Sequence, residues 1–206
     1  MTPSGKTPRG VVFDIGGVLL KFDHMKTCMA MGRRCGKPPE EVYRTIFSND
    51  LEAAYDTGMP TLEFYNEVNE RLGADIPFDE FRVMWSDIFE ENPGVQEIVQ
   101  ALSRSVHLFI LSNTNELHFE FAVERFPFLQ NAFDAAFLSY EMGYLKPSPV
   151  VYRTVLSRTN MDAWDLFYID DRDEHVEAAL AQGIPSMKFT TIAALKDRLR
   201  ALGLKV

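Results

Sequence analysis

The stretch Gly10-Val-Val-Phe-Asp14-Ile-Gly-Gly-Val-Leu-Leu20 decides the fold, because it is an apolar run that stops on one acid. Val11, Val12 and Phe13 read as a buried strand, and Gly16 and Gly17 directly after it predict a tight turn with close backbone approach. Asp14 then stands at the carboxyl end of a central strand, the edge at which open α/β sheets bind their ligands. A carboxylate is costly to bury there unless a cation or a reacting group uses it. A capping aspartate at a strand-to-loop turn is the plainer alternative. What weighs against it is that later strands end in the same character.

From Val106 onward, strands and helices alternate. Apolar runs at His107 to Leu111, Ala135 to Leu138, Leu166 to Ile169 and Ser186 to Phe189 predict strands. Helical patterns separate or follow them near Glu116 to Phe126, Pro149 to Arg158, Asp173 to Gln182 and Ile192 to Leu202. This order predicts right-handed βαβ units and a parallel sheet with helices on both faces and the Asp14 strand at its centre. Between Phe22 and Asn92 no convincing strand is legible. Phe78, Phe81, Trp85, Ile88 and Phe89 recur at helical spacing, and Pro60-Thr61 ahead of Leu62, Tyr65 and Val68 resembles a helix start. The stretch reads as an insert of about four helices whose aromatic residues form its own core. Asn92-Pro93-Gly94 looks like the return link, followed by a helix from Val95 to Ser103. The expected division is 1–21 and 93–206 for the sheet part and 22–92 for the insert.

Composition bounds what such a chain does. It has 206 residues with 46% hydrophobic content, enough to bury a full core as one domain or one domain with an insert. A net charge of −9 and a pI near 5.0 argue against a broad basic surface for nucleic acid or anionic lipid, so any phosphate must be held locally. No run approaches the roughly 20 apolar residues of a membrane span, and Met1 to Gly10 lacks a signal-type apolar stretch. The expectation is a cytoplasmic protein whose first ten residues form a mobile tail. Cys28 and Cys35 lie seven apart in a segment that looks helical, about 10 Å along its axis, which predicts reduced thiols and neither disulfide nor zinc.

Three further segments match Asp14. The strand ending at Leu111 delivers Ser112-Asn113-Thr114-Asn115, small hydrogen-bonding groups beside a helix start, which suits an anion or an ordinary cap. Gly143-Tyr-Leu-Lys146-Pro147 offers a lysine on a backbone fixed by proline. The strand ending at Ile169 delivers Asp170-Asp171, of which helix capping explains one but hardly both. In a parallel sheet these ends share one edge. Carboxylates gathered there raise one another's pKa unless a cation joins them, and Mg²⁺ is the natural candidate. A carboxylate nucleophile, a hard metal, a lysine and hydroxyl or amide donors are the parts for phosphoryl transfer through an aspartyl-phosphate.

With these residues in place, the chain resembles the haloacid dehalogenase superfamily of hydrolases. The four family motifs occur in order at Asp14, Ser112, Lys146 and Asp170-Asp171, with a helical cap inserted after the first, so the likeness covers nearly the whole chain. The wording FDIGGVL, LSNTNELH, GYLKPSPVVY and YIDDRDEHVEAA is similar to the sugar-phosphatase branch that includes α-D-glucose-1-phosphate phosphatase. The resemblance implies a Rossmann-like α/β core, Asp14 as nucleophile and Mg²⁺ ligand, the Gly16 carbonyl and Asp171 as further ligands, and Asp170 supporting the metal shell or joining it. It also implies that Ser112 and Asn113 hold the phosphoryl oxygens while Lys146 neutralises the nucleophile and the developing charge. The expected partner is a small phosphorylated metabolite; nothing in the sequence sets an oligomeric state.

Two positions depart from the family pattern. Its usual phosphatases carry a second aspartate two residues after the nucleophile, as acid and base, and here Gly16 stands in that place. General acid–base help is worth about 10²–10⁴ in rate, so another group supplies it or the enzyme is slow. The other position is His175, where the family usually shows Asn or Asp. It is either the substitute acid or base or a helix-face histidine bonded to a neighbouring carboxylate. Two other functions stay open at this point: a haloacid dehalogenase, for which adjacent acids at 170 and 171 are repulsive ballast, and a phosphate-binding protein that lost turnover with the missing acid.

Overall fold

The run ahead of Asp14 is the middle strand of a five-stranded parallel sheet. In the computed structural model, which describes residues 7–48 and 50–206, β1 (Gly10–Phe13) lies between β4 (His107–Ser112) and β6 (Leu166–Asp170). The edges are β5 (Ala135–Leu138), beside β4, and β7 (Ser186–Lys188), beside β6. Phe13 is level with both Ile110 and Ile169, so one residue on, Asp14 stands beside the ends of both neighbouring strands. The order β5-β4-β1-β6-β7 reverses direction at β1, which makes the end of β1 the topological switch point.

Side chains alternate across each strand, and the two core clusters follow that alternation. Val11, Phe13, Leu108, Ile110, Phe167 and Ile169 pack on one face. They meet α6 (Val95–Leu102), α7 (Glu116–Arg125) and α12 (Ile192–Ala201) through residues such as Val99, Ala122 and Leu199. Val12, Phe109, Leu111 and Tyr168 pack on the other face with Tyr152 and Val155 of α10 (Pro149–Thr159) and Ala179 of α11 (Asp173–Ala181). Helices cover both faces as the alternation of elements predicts. Two one-turn helices, α8 (Phe128–Asn131) and α9 (Ser139–Met142), complete the connections.

The insert departs from expectation in two ways. Among the described residues it holds five helices: α1 (His24–Cys35), α2 (Pro39–Ile46), α3 (Leu51–Asp56), α4 (Thr61–Leu72) and α5 (Phe78–Ser86). The six-residue α3 buries only Leu51 and Tyr55, too few positions to show a period. A strand is present as well, since β3 (Phe89–Glu91) pairs antiparallel with β2 (Leu20–Phe22) to form the stem of the insert. Each of these strands buries only its first residue, so neither shows the alternation that would reveal it.

The helices share a core of their own that includes Cys28, Met31, Tyr55, Phe64, Phe81 and Trp85, joined by Leu117 of α7. Phe81 and Trp85 therefore pack within the insert, whereas Ile88 and Phe89 belong to the core beneath the sheet. Trp85 docks the cap: its indole N–H donates to Asn115 Oδ1 at 3.1 Å, and its ring stacks on His118 at 4.8 Å.

The expected N-terminal tail falls outside the described residues for 1–6. It is corrected at Arg9 and Gly10: the Arg9 N–H donates to the Asp165 carbonyl at 2.7 Å and Gly10 opens β1. Both cysteines lie on α1 and are free thiols. No helix among the described residues is long and apolar enough to cross a membrane.

Candidate active site

Asp14 leaves the sheet with its N–H still donating to the Ile169 carbonyl at 3.0 Å, so the strand register fixes where its carboxylate goes. Its Oδ1 accepts from the Ile15 N–H at 2.7 Å and pairs with Lys146 Nζ at 3.0 Å. Lys146 comes from the loop after α9, and Asn113 holds that loop. The Asn113 Oδ1 accepts from the Lys146 N–H at 2.8 Å, and its Nδ2 donates to the Lys146 carbonyl at 3.1 Å. The lysine ammonium reaches the Leu111 carbonyl at 3.1 Å and Asp170 Oδ2 at 2.7 Å. Asp14, Ser112 and the Asp170, Asp171 pair thus meet at one sheet edge, as their strand ends predict, and Lys146 reaches them from its loop.

Asp170 is fully buried and saturated. Its oxygens accept from Lys146, from the Tyr168 hydroxyl, from the Arg172 N–H at 2.9 Å and from His175 Nδ1 at 3.1 Å. Burial pushes this carboxyl up, but the hydrogen bonds from His175, Lys146 and Tyr168 outweigh it and hold it below the usual carboxylate range. At Asp14 burial wins over Lys146 and, with the charge of Asp170 added, pushes the carboxyl up to about 6. Asp171 is also raised, by burial and by Asp170. Three carboxylates face one ammonium here. A cation relieves that imbalance, and one oxygen from each of Asp14, Asp170 and Asp171 lies within 4.8 Å of the others. An all-oxygen donor set of this kind fits Mg²⁺.

The glycine pair has two separate tasks. Gly17 has φ +76°, and a Cβ there would stand 2.1 Å from Asp171 Oδ2, so only glycine lets that carboxylate close on the turn. Gly16 is crowded differently, since a Cβ there would meet the Phe22 ring at 2.9 Å. The space an acid at position 16 would enter is occupied by an aromatic side chain from the stem of the cap.

Other sequence expectations meet the structure less directly. The Asn113 side-chain amide is spent on the backbone of Lys146, so what it has left for an anion is its backbone N–H. Buried Ser112 keeps its hydroxyl at the site, with the Asn113 carbonyl 3.3 Å away. His175 Nδ1 lies 3.1 Å from Asp170, the contact expected of a helix-face histidine bonded to a neighbouring carboxylate. Arg33, Arg34 and Arg44 are exposed on the cap away from the cavity, with Arg34 Nε donating to Glu80 at 3.0 Å.

A cavity of about 210 Å³ opens from this edge toward the cap. Its sheet side is formed by Ile15, Gly16, Ser112, Asn113 and Thr114, and its cap side by Phe22, His24, Glu52 and Asp56. The cap reaches the cavity through Glu52 and Asp56 as well as through its stem. Phe22, His24, His118 and Arg172 were missed. The usable signal was local: Asn115 caps α7 by accepting from the His118 N–H, which fixes His118 next to the loop that follows β4.

The family described as haloacid dehalogenase-like hydrolase matches residues 11–189. The chain belongs to that family. Among curated relatives of this hydrolase, the D-ribitol-5-phosphate phosphatase of Bacteroides thetaiotaomicron is 22% identical over 191 residues, covering 87% of this chain and 91% of the relative. A phosphorylated carbohydrates phosphatase of Thermotoga maritima is 26% identical over 193 residues, covering 91% and 87%. A solved haloacid dehalogenase family enzyme from B. thetaiotaomicron, in complex with magnesium and inorganic phosphate, superposes with a TM-score of 0.82 at 20% identity, over 89% of this chain and 94% of that one. The shared fold places this hydrolase's sheet and helical cap in the arrangement of that enzyme.

Proposed function

We propose that this hydrolase is a Mg²⁺-dependent phosphomonoester phosphatase that acts on sugar or other small-metabolite phosphates through a phosphorylated Asp14. The observation that carries the reading is the buried Asp14 carboxylate held at the switch point between Lys146 and the Asp170, Asp171 pair. Lys146 and the Ile15 N–H both bind Oδ1, which fixes the rotamer and leaves Oδ2 to face phosphorus. Asp14, the Gly16 carbonyl and Asp171 would hold the metal, and the saturated Asp170 supports them. When bound, Mg²⁺ supplies positive charge to the transferring phosphoryl group. Ser112 Oγ and the Asn113 N–H bind phosphoryl oxygens, and the Lys146 ammonium offsets charge that grows in the transition state.

The substrate class rests on the relatives, which are named for phosphorylated carbohydrates, and on a cavity of metabolite size. The same reading divides the chain into a core of 1–21 and 93–206 and a cap of 22–92 that covers the leaving group, in a cytoplasmic enzyme whose two thiols stay reduced. A dehalogenase needs no metal and gains nothing from Asp171 beside Asp170.

The test is phosphate release from a panel of esters, including α- and β-sugar 1-phosphates and pentitol 5-phosphates, with Mg²⁺ or with chelator. Release with Mg²⁺ alone, lost in Asp14→Asn, supports the proposal. A folded, magnesium-binding protein that releases phosphate from no ester contradicts it and favours a binding role.

A further inference from the structure

The phosphatase reading, on which this inference rests, leaves the leaving-group oxygen without a proton donor, since Gly16 has no side chain and the Phe22 ring fills the space beside it. The donor must then come from the cap side of the same cavity. The titratable groups there are His24, Glu52, Asp56 and His118, and two of them are already spent. His118 contacts the Trp85 carbonyl through Nε2 at 3.0 Å and Asn115 Nδ2 through Nδ1 at 3.1 Å, and burial pushes it down to about 3, so it takes no proton at neutral pH. Asp56 Oδ1 accepts from Asn115 Nδ2 at 2.8 Å, and burial pushes its carboxyl up only to about 6, so it has given up its proton by neutral pH.

Among the described residues, neither the Glu52 carboxyl nor the His24 ring has such a hydrogen bond. Glu52 Oε1 lies 3.8 Å from His24 Nε2, and His24 Nδ1 is buried with no hydrogen-bond partner among the described residues. The His24 ring is clamped between Phe22, at 5.1 Å, and Phe47, at 4.6 Å. That clamp ties it to the aromatic residue standing over Gly16. We propose that Glu52, seated against His24 on the cap, is the proton donor and acceptor of the phosphatase reaction in place of the aspartate that Gly16 lacks.

The protonation state suits the task. Burial, aided by the charge of Asp56, pushes Glu52 up to about 8, so the carboxyl carries its proton at neutral pH. Burial also lowers His24, so the neighbouring imidazole is neutral and does not pull that proton away as a fixed cation would. Cys28 of α1 feels the charge of Glu52, Asp23 ahead of α1 acts on His24, and His118 on α7 and Arg172 after β6 line the same cavity. In the first step Asp14 attacks phosphorus and the ester P–O bond breaks with its electron pair on the ester oxygen, which takes the Glu52 proton and leaves as the alcohol. In the second, water attacks phosphorus and gives its proton to the Glu52 carboxylate. The bond from phosphorus to Asp14 breaks, and inorganic phosphate departs.

The experiment compares kcat/KM for wild type and Glu52→Gln on two esters, the best sugar phosphate and 4-nitrophenyl phosphate, across pH. A nitrophenolate leaves without a proton and a sugar alkoxide does not. Glu52→Gln is expected to lose about 10²–10⁴ on the sugar phosphate and less than about tenfold on the nitrophenyl ester, and to lose the basic limb of the sugar-phosphate profile. Retained nitrophenyl turnover also reports that the variant is folded and Asp14 intact. Equal losses on both esters, or an unchanged sugar-phosphate profile, overturn the assignment. A wild type that releases phosphate from neither ester is a separate result, which removes the phosphatase reading and the assignment with it.

Discussion

The two sides of the cavity are built in different ways. On the sheet side, Asp14, Ser112 and Asp170 are placed by backbone register, and Lys146 is drawn in by Asn113, whose amide grips its main chain on both sides. On the cap side, His24, Glu52 and Asp56 are placed by how a separate helical core docks, through Trp85, onto the start of α7. The difference teaches where rigidity and adaptability lie. The groups proposed to handle phosphorus sit at the ends of a parallel ladder, while those proposed to meet the leaving group ride on a part with its own core and a narrow two-stranded stem.

Breaking the sheet side is expected to have the largest effect. In Lys146→Met the ammonium between Asp14 and Asp170 is gone, and steady-state phosphate release should fall by about 10³-fold, the scale of losing a preorganised charge donor. A loss below tenfold would mean that the lysine only fills space. Breaking the cap side should show in stability. Trp85 is fully buried, so Trp85→Ala should lower unfolding free energy by about 3–5 kcal/mol in a denaturant titration. A change under about 1 kcal/mol would say that the cap is not held through this ring. Gly17→Ala sharpens the contrast within the sheet side alone. The new methyl meets Asp171 in a left-handed turn, and the Mg²⁺ concentration for half-maximal rate should rise about 10–100-fold. Unchanged magnesium dependence would remove Asp171 from the metal's surroundings.

The smallest expected effect separates the sides by pH. The folded chain keeps Glu52 protonated up to about 8, while the unfolded chain ionises it in the ordinary glutamate range. Between those values the folded state binds the extra proton, so this group's contribution makes stability fall as pH rises through the window. Glu52→Gln should flatten that fall, measured as Tm against pH. A fall of the same steepness in the variant would mean that Glu52 is ionised in the folded protein.

The same contrast explains what was legible. The strands after residue 106 lie within a residue or two of their expected bounds, because apolar runs bounded by turn residues define them without tertiary knowledge. The meeting of Asp14, Ser112 and the Asp170, Asp171 pair followed from one topological rule about parallel strand ends. The cap was harder. Its stem strands bury one residue each, and α3 is shorter than two turns. His175 reads as either a catalytic group or a structural one, and only packing shows that its ring lies against the Asp170 carboxylate. No local pattern foretells that Phe22 fills the space at Gly16, since that contact depends on how the stem returns over the turn.

The measurement that tests the central claim most directly is rapid quenching of the enzyme during turnover of its best ester with Mg²⁺, followed by mass analysis of the peptide that carries Asp14. The account predicts a phosphoryl group on Asp14 in wild type, absent with chelator and absent in Asp14→Asn, which should also release no phosphate. Turnover with no phosphoryl group ever found on Asp14, or an Asp14→Asn protein that still hydrolyses the ester at the wild-type rate, would contradict it.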